Sequence, residues 1–123
     1  MTITLPYPPS VNRYWRQFRG RAILSAEARA YHERCRYLGT VAVRAVGTPG
    51  PIQVHLIAYP PDKRRRDLDN ILKAINDALV RCGLIDDDSL IRRQCQEWGP
   101  VDRDNPRVVL SIGEYRQGAT HES

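Results

Sequence analysis

Residues 67–83 read DLDNILKAINDALVRCG, and this stretch decides the fold. Leu68, Ile71, Leu72, Ile75 and Leu79 recur at three- and four-residue steps, so their aliphatic side chains share one helix face. Asp67 is a natural N-cap, because its short carboxylate reaches the unpaired N–H groups of the first turn. Gly83 is a natural stop. Upstream, IQVHLIAY (52–59) is short, β-branched and bounded by prolines, the pattern of a strand. Downstream, LIDDDSLIRRQCQEW crosses a turn into a strand over 89–98, and RVVLSIGEY (107–115) alternates as another. A second helix is predicted over 25–46, with Ser25 as N-cap and Ala28, Tyr31, Cys35, Leu38 and Ala42 as its core-facing stripe. TITL (2–5) alternates as a strand, whereas PYPPSVNRYWRQFRGR (6–21) has clustered prolines and no period and reads as loop. The order β-α-β-α-β-β predicts an α+β fold, one mixed or antiparallel sheet with two helices packed on it.

The chain has 123 residues, the size of a single domain over 1–123, with the polar end from 116 to 123 expected to fray. No apolar run is long enough for a membrane helix, and the opening MTITLPYPPS lacks the basic and apolar regions of a signal peptide. A cytosolic protein with no membrane partner is expected. Cys35, Cys82 and Cys95 lie far apart and form neither a zinc motif nor a disulfide framework, so reduced, buried or half-buried thiols are expected. His32, His55 and His121 are equally scattered and suggest no metal site. The net charge is +5, and all but two of the 19 basic residues are arginine, whose planar fork suits phosphate. Such a surplus fits a polyanionic partner.

The chemistry concentrates at RRRDLDN (64–70). Arg64, Arg65 and Arg66 stand at a helix N-terminus, where the helix dipole disfavours cations. Asp67 and Asp69 follow, and Asp69, Lys73 and Asp77 are spaced to lie along one face. One reading is a plain Asp-Lys-Asp ladder on a solvated helix. The other adds the acidic run Asp86-Asp87-Asp88 at the start of the next strand. Carboxylates gathered from both segments would repel one another unless a hard cation such as Mg²⁺ sat between them. Such a site activates water against a phosphodiester, with a lysine offsetting charge on phosphorus. In the N-terminal loop, Tyr7, Tyr14, Trp15 and Phe18 alternate with Arg13, Arg16, Arg19 and Arg21. That interleaving suits a base-stacking, backbone-tracking surface, or a loop pinned to the core by its aromatics.

RRRDLDNILKAINDAL, then GLIDDDSLI, together with LPYPPSVNRYW near the start, resembles the RusA family of Holliday junction resolvases from bacteria and their phages. The resemblance covers nearly the whole chain. It implies a homodimeric endonuclease, dependent on Mg²⁺ or Mn²⁺, that binds four-way DNA junctions and nicks two opposed strands. The family's essential aspartates then fall on Asp67, Asp69 and Asp88, the metal-holding set, and its lysine on Lys73. The family pattern makes the third aspartate the second of a DD pair, which favours Asp88 over Asp87. Arg13, Arg64, Arg65 and Arg66 would bind phosphates. Asn70, Asp77 and Asp87 would support these groups, or Asp77 would only pair with Lys73. Two rival functions stay open at this point: a non-catalytic binder of branched or single-stranded DNA, such as a phage accessory protein, and a nuclease acting on flaps or forks.

Overall fold

The computed structural model describes residues 2–46, 50–81, 83 and 85–116. Four strands form the main sheet: β1 (Thr2–Pro6), β4 (Ile52–Tyr59), β5 (Ile91–Trp98) and β6 (Arg107–Glu114), in the order β1-β6-β4-β5. β6 pairs antiparallel with both β1 and β4, whereas β4 and β5 run parallel. The parallel pair is joined through the long helix α3 (Leu68–Arg81), since a parallel crossover needs a connection that returns the chain to the same end. The fold is therefore α+β with a mixed sheet, as the element order predicts.

Both long helices, α2 (Ala26–Val46) and α3, pack on one side of the sheet. Ile52, Val54, Leu56 and Ala58 alternate along β4 and point into this layer, where Tyr31 and Cys35 of α2 meet Ile71, Ile75, Ala78 and Leu79 of α3. Ile75 and Leu79 are fully enclosed, each burial stabilising the fold by about 1.5–3 kcal/mol. The predicted aliphatic face of α3 is thus the core face, with Leu68 and Leu72 at its half-buried margin. Ser25 caps α2 by accepting the Ala28 N–H at 3.0 Å. The stripe residues Ala28, Tyr31 and Cys35 are buried; Leu38 and Ala42 lie outside the side chains described. Gly83, at φ +82, takes the left-handed conformation that ends α3.

The opposite side of the sheet carries no helix among the described residues. It presents Gln53, His55, Ile57 and Tyr59 from β4 beside Arg93, Cys95 and Glu97 from β5. Cation–ring stacking covers part of it, with Arg107 at 4.0 Å from the Tyr59 ring and Arg93 at 5.1 Å from that of Tyr115. β5 contains one extra residue. Ile52 pairs with Ile91 but Gln53 with Arg93, so Arg92 is a bulge.

Two expectations are corrected. The 6–21 segment is not all loop: it holds a short helix α1 (Val11–Tyr14), then β2 (Trp15–Phe18) and the start of β3 (Arg21–Leu24), which form a separate two-stranded hairpin. Its turn places Arg19 and Gly20 both at positive φ, the twist that suits a tight hairpin. Cys95 is exposed rather than buried, because the bulge turns it to the open side of the sheet. The expectations for Cys82, His121 and the tail beyond Arg116 lie outside the described residues. No helix among those residues is long and apolar enough to cross a membrane.

Candidate active site

The first turn of α3 is built around Asp67. Its carboxylate accepts the Asp69 N–H at 2.9 Å, the geometry of an N-cap, and stays exposed. Just before it, Asp62 accepts from Arg66 Nη1 at 2.6 Å and from the Arg64 N–H at 2.9 Å. Those bonds, the Arg66 guanidinium first, hold the Asp62 carboxyl down at about 2. Arg66 is half-buried and also stacks 5.9 Å from the Tyr7 ring. Of the three arginines, Arg66 therefore staples the loop. Arg64 and Arg65 project from it, exposed and without an ion pair among the described residues.

Two contacts fix the direction of α3 against β5. Asp69 Oδ1 accepts from Gln96 Nε2 at 3.2 Å, and Asn76 exchanges side-chain hydrogen bonds with Gln94 at 2.7 and 3.4 Å. The strand advances while the helix recedes, so the two run antiparallel. The start of β5 consequently lies beside the second half of α3. There a cleft of about 570 Å³ is lined by Asn70, Lys73, Asp77, Asp87 and Asp88, together with Tyr14 and Trp15. Asp88 opens a single 3₁₀ turn, Asp88–Leu90, that leads into β5. Asp87 accepts the Ser89 hydroxyl, which holds its carboxyl below the ordinary range.

The predicted residues thus fall into two groups. Lys73, Asn70, Asp77, Asp87 and Asp88 share the cleft, and Arg13 is exposed on α1 near its wall. Asp67 and Asp69 sit at the N-terminal end of the same helix, outside the cleft lining, with Asp69 about 12 Å along the axis from Asp77. Among the described residues, no three His, Cys, Asp or Glu side chains are gathered closely enough to hold a metal together. The donor chemistry nevertheless fits a hard dication. Asp67, Asp69 and Asp88 are exposed carboxylates, and Mg²⁺ needs only one or two of these beside waters and substrate phosphate.

The Asp69-Lys73-Asp77 ladder does not form. Asp69 is engaged with Gln96, and Asp77 takes Arg81 Nε on both oxygens at 3.0 and 3.1 Å. Lys73 is left exposed in the cleft without an ion pair among the described residues. Asp77 also accepts the Tyr14 hydroxyl at 2.9 Å. With that proton committed, the His32 Nε2–H donates to the phenol oxygen. Burial pushes the Tyr14 hydroxyl far up, helped by the Asp77 bond, and pushes the His32 imidazole down against the opposing pull of Asp77. A neutral His32 and a protonated Tyr14 therefore tie α1 and α2 to α3 at the lining of the cleft. Of the two readings of the N-terminal aromatics, buried Tyr14 takes the one that pins the segment to the body; no sequence spacing connects residues 14, 32 and 77, so pattern does not reveal its link to His32 and Asp77.

Exposed arginines ahead of α3, and a cleft that carries Lys73 beside Asp87 and Asp88, are groups suited to a phosphate-bearing partner on an α+β domain. Comparison with known proteins makes this specific. The family described as Endodeoxyribonuclease RusA matches residues 6–113. A crossover junction endodeoxyribonuclease RusA of Shigella sonnei is 43% identical over 113 residues, 92% of this chain and 93% of its own. The Escherichia coli K12 protein of that name shows the same identity and coverage. The protein of Enterobacteria phage 82 is 43% identical over 112 residues, 91% of this chain and 92% of its own. The chain belongs to the RusA family of endodeoxyribonucleases.

Proposed function

We propose that this chain resolves four-way DNA junctions, two copies acting as a two-fold pair that makes opposed nicks. Beyond family membership, one observation carries the reading: Lys73 lines a cleft shared with Asn70, Asp77, Asp87 and Asp88, yet its ammonium is in no ion pair among the described residues. An ammonium held open in this way is suited to a phosphate oxygen. The relatives' name, crossover junction endodeoxyribonuclease, gives the substrate class.

Mg²⁺, with Mn²⁺ as a substitute, is the expected cofactor; Asp67 and Asp69 at the head of α3, and Asp88 in the cleft, are the carboxylates that would offer it oxygens, one or two of them beside water and substrate phosphate. Bound there, a hard dication lowers the pKa of a water and stabilises the leaving oxygen of a phosphodiester. The chain's own groups do the remainder. Lys73 offsets negative charge building on the phosphoryl oxygens. Arg64 and Arg65 seat the neighbouring phosphates, in a loop already fixed by the Asp62–Arg66 pair, and Arg13 extends the cationic track. Asn70 offers an amide to the same cleft. Asp77 supports from behind: by engaging Arg81 and Tyr14 it leaves Lys73 free. Opposed nicks need two sites, and a C2 homodimer supplies one from each chain.

The test is cleavage of a synthetic four-way junction. With Mg²⁺ the protein is expected to give paired nicks, and with EDTA none. Asp69→Asn is expected to abolish cleavage while keeping junction binding. Faster cutting of forks or flaps than of junctions would reject the substrate assignment, and no cutting with either metal would reject the enzyme.

A further inference from the structure

We infer that the β2–β3 hairpin reads the branch point, its tip residue Phe18 stacking on bases left unpaired where the DNA arms part. This rests on the junction reading above and adds an element to it. Strand alternation puts Arg16, Phe18, Arg21 and Ile23 on one face of the hairpin. The other face carries Leu24, which packs against Tyr14, Ala28 and Ala74 and so turns that side toward the body. The first face is therefore directed outward. Phe18 is 56% exposed and Ile23 40%, both large apolar groups left partly in water.

Charge indicates the partner. The segment Trp15–Leu24 contains three arginines and no acid. Phosphates alone would require only the arginines. Exposed rings between them suit the flat faces of bases, which are free where duplex stacking is interrupted. Arg19 already lies 5.3 Å from the Phe18 ring, so the tip offers a ring backed by a cation.

Position supports the same partner. Trp15, at the hairpin root, lines the cleft that holds Lys73. The four-residue strands extend about 14 Å, less than one turn of duplex, so the tip would meet DNA close to the phosphate being cut. The root is also firm. The Ser25 N–H donates to the Tyr14 carbonyl at 3.0 Å, and the Tyr14 hydroxyl binds Asp77 on α3. A two-stranded ribbon standing alone is marginally stable, and this anchoring is what lets the tip project.

The experiment compares a four-way junction with a duplex of the same arm sequence, in EDTA and at one salt concentration. 2-Aminopurine is placed beside the branch point. Wild-type protein is expected to prefer the junction and to raise the 2-aminopurine fluorescence. Phe18→Ser is expected to lower the junction-over-duplex ratio about tenfold and to abolish the fluorescence rise. Phe18→Trp is expected to retain both, with its own emission quenched by the junction. A Phe18→Ser protein that keeps the wild-type ratio and signal overturns the inference while leaving the junction reading intact. A wild-type protein without junction preference overturns the junction reading, and this inference with it.

Discussion

Lys73 is the residue on which the proposed chemistry turns. On a bare helix its spacing to Asp69 and Asp77 would place it in two ion pairs, yet both acids are engaged elsewhere. Lys73→Met is expected to lower single-turnover junction cleavage by about 10²–10³-fold, the range for loss of one preorganised electrostatic group. Junction affinity measured in EDTA should change far less. Asp77 tests the support behind it. Asp77→Ala leaves the buried Tyr14 hydroxyl without its acceptor and should cost about 1–3 kcal/mol in urea unfolding. At this scale the sequence was partly legible. Asp67, Asp69, Lys73 and the acidic run 86–88 stand out by residue type and local spacing, whereas only the family resemblance singles out Asp88 within that run. The bonding of Tyr14 to His32 and Asp77 is not marked in the sequence, because only the tertiary fold joins residue 14 to 32 and 77. For the same reason spacing did not reveal that Asp88 meets the second half of α3 instead of its N-terminus.

Among the elements, α3 was the clearest in the sequence, since its aliphatic period, its cap and its terminal glycine all agree. Asp67 therefore has two possible duties that mutation can separate. Asp67→Ala removes the cap and should cost about 1 kcal/mol of stability in addition to cleavage. Asp69→Asn should leave the unfolding midpoint nearly unchanged, because an asparagine amide still answers Gln96. Equal destabilisation of the two variants would mean that Asp67 caps nothing in solution. The β2–β3 hairpin stayed hidden because both of its strands are largely exposed and no polar–apolar alternation marks them. Its Arg19-Gly20 turn was the available signal, obscured by the prolines that precede it.

At the scale of the whole molecule, charge governs association and acid tolerance. Each phosphate neutralised releases counterions, so the logarithm of junction affinity should fall linearly with the logarithm of salt concentration. Arg64→Ala and Arg65→Ala together should reduce that slope by about two. The Asp62 carboxyl holds its proton less tightly folded than unfolded. Its contribution is complete above the ordinary 3.8 and disappears as pH falls toward about 2. Thermal midpoints across that window should fall more steeply for the wild type than for Asp62→Asn. The α+β layout was legible from element order, while the parallel β4–β5 pairing was not, because hydrophobic pattern carries no strand direction. The extra residue Arg92 has a final effect. Were β5 to keep strict two-residue phase from Ile91, the side turned to α3 would show Arg93, Cys95 and Glu97. The inserted link shifts the frame by one, so Asp69 finds the amide of Gln96 where it would otherwise have confronted a second carboxylate.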